Sequence, residues 1–174
     1  MSAKRIAYLS LLTAIALVLH VLENALPPLL SFAPGAKMGL SNVVSLIALF
    51  LLGVPDAYVI LIVRCVLGAV FGGNLWSLTY ALPAGIISLS VQVLLVKTAF
   101  PTLSLTAISF IGALLHNTVQ LIIASITVKV NLLTVLPLTM LASVIAGLFV
   151  GLTAYFSLKA LPSKFYILNE QKKN

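Results

Sequence analysis

"GAKMGLSNVVSLIALFLLG", residues 35–53, places a lysine and an asparagine at the doorway of a run that is otherwise almost wholly apolar. The apolar part, 39–53, reads as a membrane helix, and that reading sets the number of spans in the chain. Helix capping and snorkelling of Lys37 to lipid headgroups would suffice to explain the two polar residues as a local feature. Gly35 and Gly39 would also let the preceding loop turn tightly or a ligand approach the backbone.

The rest of the chain has the same character. Of 174 residues, 61% are hydrophobic and 7% charged, and the mean hydropathy is +1.21. A soluble domain carries about a quarter charged residues, so this chain belongs in a bilayer. Crossing about 30 Å of hydrocarbon takes about 20 residues, which leaves room for a bundle with short loops and no soluble domain. Proline, glycine and polar clusters divide the sequence into six apolar segments: 5–30, 39–53, 55–72, 77–97, 103–127 and 133–160. The expected fold is therefore an all-α bundle of six transmembrane helices, one integral membrane domain over 1–174 with a short basic tail at 161–174. "LGVPD" at 52–56 and "KTAFPTLS" at 97–104 read as tight turns, and Pro83 with Gly85 can kink the fourth helix.

Lysine and arginine set the orientation. With the N-terminus inside, Lys4, Arg5, Lys97, Lys159, Lys164, Lys172 and Lys173 fall inside, against Lys37 and Lys129 outside. This excess favours both termini in the cytoplasm. A secretory signal peptide at "KRIAYLSLLTAIALVLH" is the competing reading, but no A-x-A cleavage site follows it. The net charge of +7 does not indicate nucleic acid, because the basic residues do not cluster with aromatics. The lone Cys65 excludes an internal disulfide and reads as a small core residue.

Ionisable groups at membrane depth cost several kcal/mol and are candidates for function. At about 1.5 Å per residue, Glu23, Lys37, Asn42 and Asn74 fall near the outer ends of their helices and Arg64 near mid-depth. In "GALLHNTVQL", His116 and Asn117 lie just beyond the midplane and Gln120 one turn further out. Ala113, His116, Asn117, Gln120 and Ala124 share one small, polar face of the fifth helix. These polar residues can line a binding pocket or act as interhelical glue. Arg64, Gly68 and Gly72 share a row along which a helix or ligand could approach. At that depth Arg64 needs a partner, either Glu23 or an anionic ligand. Lys37 and Arg64 against Glu23 leave one positive charge in surplus, which favours a carboxylate or phosphate. Asp56 reads as a turn or capping residue and Gln92 as packing. Small residues form two further stripes, Ala3, Ala7, Ser10 and Ala14 on the first helix and Ser143, Gly147 and Gly151 beside Ala142 and Ala146 on the sixth. Each serves either internal helix contact or docking of another membrane subunit.

Catalytic motifs are missing from the sequence. It has no G-x-x-x-x-G-K-[ST] loop and no H-E-x-x-H. Its three acidic residues, Glu23, Asp56 and Glu170, are too scattered to hold magnesium diphosphate. Neither cofactor nor metal is expected, and binding or transport is favoured over catalysis. A solitary channel would need polar residues through the inner half as well.

"LENALPPL" (22–29), "GAKMGLSNVVSLIALFLLG", "LIVRCVLGAVFGG" (61–73) and "ALLHNTVQLIIA" (113–124), in this order and spacing, resemble the heptaprenyl diphosphate synthase component I proteins, also called Gx transporters. The resemblance covers about residues 4–160. That family looks related to the substrate-binding S components of energy-coupling factor (ECF) transporters, six-helix bacterial membrane proteins that take up vitamins and similar micronutrients. It implies capture of a small molecule from outside under a first loop, here "PPLLSFAPGAK" (27–37), then association with a coupling membrane subunit and two ATPases. In such proteins an A-x-x-x-A pattern on the first helix contacts the coupling subunit. Ala3 and Ala7 match that spacing, and Ser10 and Ala14 match it loosely. On a binding-subunit reading, the residues placed by depth, Glu23, Lys37, Asn42, Arg64, Asn74, His116, Asn117 and Gln120, would form the ligand site. The synthase name fits no prenyl-transfer residues and would mean an accessory role beside a prenyl diphosphate synthase.

Overall fold

Each helix begins and ends where local chemistry dictates. The computed structural model describes residues 3–25 and 40–161 of the chain. In order these are α1 (Ala3–Ala25), α2 (Leu40–Leu51), α3 (Val54–Phe71), α4 (Leu78–Ala99), α5 (Leu105–Val128) and α6 (Leu136–Ala160), with single 3-10 turns at Leu75–Ser77 and Leu132–Val135. Gly53, at φ 93°, makes the turn between α2 and α3, a conformation that favours glycine. Pro55 in the first turn of α3 and Pro137 in that of α6 sit where a missing N–H is harmless. Ser104 caps α5 by accepting from the Ala107 amide at 3.1 Å. Lys129 closes α5 in the left-handed region at φ 56°. α4 runs unbroken through Pro83.

Among the described residues, five helices are long and apolar enough to cross a membrane, and α2 is a shorter apolar helix. With 12 residues, α2 is about 18 Å long, little more than half of a hydrocarbon core. Of the expected span at 39–53, the described part is this apolar helix. Its role is packing at the centre: eight of its 12 residues are buried, and it touches α1, α3, α4 and α6. An apolar run reads the same whether lipid or protein surrounds it.

Consecutive helices run in opposite directions. The Phe50 and Phe100 rings meet edge to face, centroids 5.4 Å apart, joining the end of α2 to the α4–α5 turn. At that same end, Arg5 near the start of α1 meets Asp56 in the first turn of α3. Leu46, Leu49, Val96, Leu105, Ile108 and Leu158 fill the bundle there with an apolar core. The start of α1 and the end of α6 thus share one end of the bundle, and Asn74 and Leu132 lie at the other.

Asp56 does more than shape a turn. It is 2% exposed, and its carboxylate accepts from Arg5 Nε and Nη2, both at 2.7 Å. The small stripe of α6 is an internal contact with α5. A Cβ on Gly147 would stand 2.7 Å from the Phe110 Cα, and one on Gly151 2.7 Å from the Thr106 Cα. The two backbones approach closely because these positions have no side chain.

Candidate functional site

A cavity of about 420 Å³ opens among the helices, within the usual range for small-molecule sites. Along α5 its wall is the stripe Ala113, His116, Asn117, Gln120 and Ala124, and along α3 the row Arg64, Gly68 and Gly72. Glu23 and His20 of α1, Ser41, Asn42 and Ser45 of α2, and Asn74 add to the polar lining. The wall along α5 runs from Ser109 to Ala124, about 22 Å of helix. Of the eight sequence-derived candidates, Glu23, Asn42, Arg64, Asn74, His116, Asn117 and Gln120 all line this one space. Lys37 lies outside the described residues.

Hydrogen bonds divide these residues by role. Arg64, 4% exposed, donates from Nη1 to Ser41 Oγ and from Nη2 to Asn42 Oδ1, the latter at 2.5 Å. The partners foreseen for it were Glu23 or a ligand. Its hydrogen bonds go to the start of α2, and Glu23 is near enough for Coulombic attraction. His116 shares this level, in Coulombic range of Arg64 and against the Ala84 backbone of α4. Asn117 Nδ2 donates to Ser143 Oγ at 2.7 Å, and Ser143 Oγ donates to the Thr139 carbonyl at 2.7 Å. Asn117 therefore ties α5 to α6 as well as lining the cavity. Asn74 accepts from the Ser77 amide at 3.2 Å and caps the turn before α4.

Three buried polar atoms have no hydrogen-bond partner among the described residues: Arg64 Nε, Ser45 Oγ and Ser109 Oγ. All three residues line the cavity. Buried polar groups are nearly always paired, and leaving one unpaired costs about 1–3 kcal/mol.

Several lining residues escaped sequence reasoning. His20 lies on the face of α1 that carries Glu23, three residues on, a spacing that could have revealed it. Its ring packs on α3, where a Cβ at Gly68 would stand 2.5 Å from the His20 Cδ2. Gln92, taken as packing, is indeed buried at 8% exposed, and it also lines the cavity. Ala81, Gly85, Ser88 and Gln92 recur along α4 at spacings of four, three and four, a wall legible in retrospect. Ser45 and Ser109 left no sequence signal, because a hydroxyl in a membrane helix commonly bonds its own backbone.

The family model described as heptaprenyl diphosphate synthase component I matches residues 12–157. The chain belongs to that family. The matched span contains every described candidate of the cavity, whereas of the α1 stripe it contains only Ala14. No curated protein and no solved structure matches the chain significantly. Ala3, Ala7, Ser10 and Ala14 are all exposed on α1. Ser10 and Ala14 border an open apolar groove between α1 and α3 with Leu17, Val59 and Val63.

Proposed function

We propose that this membrane protein is a non-catalytic, substrate-binding subunit of a micronutrient uptake transporter, holding a small anionic ligand in the cavity around Arg64. The observation that carries the reading is the cavity itself, with a buried guanidinium whose Nε has no partner among the described residues. An arginine at membrane depth serves best where an anion meets it. The lysine and arginine distribution supports a cytoplasmic location for the Arg5–Asp56 end, in a bacterial cell membrane. The cavity mouth at the Asn74 end would then face outward. Below the cavity the apolar core of Leu46, Leu49, Leu105 and Leu158 offers no polar route onward. Release to the inside would need outside help, which suits an ECF-type coupling membrane subunit with ATPases, docked on the exposed small residues of α1.

Mass spectrometry of gently purified protein tests this reading by seeking a co-purifying small molecule. Absence of such a molecule, together with unchanged nutrient uptake in Arg64→Gln cells, would sink it.

A second reading rests on the family description, which names a synthase component. In that case the protein is an accessory subunit that recruits a prenyl diphosphate synthase to the bilayer. Stable co-purification with such a synthase, and a cavity holding only water, would favour it.

A further inference from the structure

The helix contacts assign levels within the cavity. Arg64 bonds Ser41 and Asn42 across the α2–α3 hairpin, and His116 meets Ala84 across α4 and α5. One charged level thus passes through all four helices. Ser45 lies about one turn below it on α2, some 5 Å nearer the Arg5–Asp56 end, and Ser109 about two turns below it on α5, roughly 10 Å. These two residues are 4% and 1% exposed, and they carry the two unpartnered hydroxyls of the cavity. Among the described residues no acidic group joins them there: Glu23 lies at the opposite end of α1 and Asp56 is held by Arg5. The Ser88 hydroxyl between these levels is already committed to the Gly112 carbonyl at 2.7 Å.

We infer that the cavity has two subsites and takes an elongated ligand, an acid whose anionic group meets Arg64 and whose far end presents an uncharged hydroxyl or carbonyl to Ser45 and Ser109. This rests on the proposed reading of the cavity as a ligand site. A serine hydroxyl both donates and accepts, so the deep subsite serves either kind of neutral polar group. A second charge there would lie unpaired against Leu46, Leu49 and Ile108 and is excluded by its desolvation. A purely apolar tail would leave both hydroxyls unsatisfied.

The test uses the full-length protein in lipid nanodiscs, with ω-hydroxyoctanoate and octanoate as paired probes in calorimetric titrations. Wild type should bind the hydroxy acid more tightly, and a combined Ser45→Ala and Ser109→Ala variant should lose that preference, weakening the hydroxy acid by roughly two- to tenfold. The same variant without ligand should melt no lower than wild type, because alanine removes two unsatisfied groups. A structural role for the serines would instead lower its melting temperature. Equal binding of both acids, still sensitive to Arg64→Gln, would overturn the two-subsite inference and leave the ligand-site reading standing. No saturable binding of either acid would overturn both.

Discussion

Arg5 and Asp56, 51 positions apart, form a two-pronged ion pair with both N–O distances at 2.7 Å. The arginine side chain is 43% exposed and the aspartate side chain 4%, so the two partners are not equivalent. Removing the arginine strands a buried carboxylate, whereas removing the aspartate releases a cation that can reach water.

Arg5→Ala should therefore lower the melting temperature by several degrees, and Arg5→Ala with Asp56→Ala should restore part of the loss. Thermal denaturation of the detergent-solubilised protein, followed by circular dichroism, measures both. A double variant no more stable than Arg5→Ala would contradict the pairing.

Arg64→Gln should weaken a co-purifying anionic ligand by about ten- to a hundredfold, the range expected for losing a hydrogen bond to a charged group. Glutamine keeps polar atoms near Ser41 and Asn42 and limits the structural damage. Quantitative mass spectrometry of bound ligand per protein, with a melting curve for each variant, separates loss of binding from loss of fold.

Gly147→Ala and Gly151→Ala should each destabilise the bundle, by about 1–3 kcal/mol. The added Cβ would lie 2.7 Å from a Cα of α5 in each case, and backbone cannot rotate away as a side chain can. Unfolding in a denaturing detergent provides the readout. By contrast, the three atoms nearest a Cβ at Gly68 all belong to the ring of His20, so Gly68→Ala should cost less stability while displacing a wall of the cavity.

Leucine at Ala7, Ser10 or Ala14 should change stability by no more than about 0.5 kcal/mol, because all three are exposed. If α1 docks a coupling subunit, the same substitutions should abolish co-purification of that subunit. Retention of the complex after all three changes would remove the stripe from the docking surface.

The membrane character, the helical class and most of the cavity wall were legible in the residues themselves. Charges and amides are so costly in hydrocarbon that their presence marks an interior face, and helical spacing then groups His116, Asn117 and Gln120 with Ala113 and Ala124. What the sequence could not decide was the surroundings of each residue. An apolar side chain is equally at home against lipid or protein, so the status of α2 as a short central helix emerged only when four neighbours closed around it. Likewise, pairing depends on distances across helices far apart in the chain. Tertiary structure joined Asp56 to Arg5, gave Arg64 to Ser41 and Asn42, turned the α6 stripe inward against α5, and left the Ser45 and Ser109 hydroxyls without a hydrogen-bond partner among the described residues.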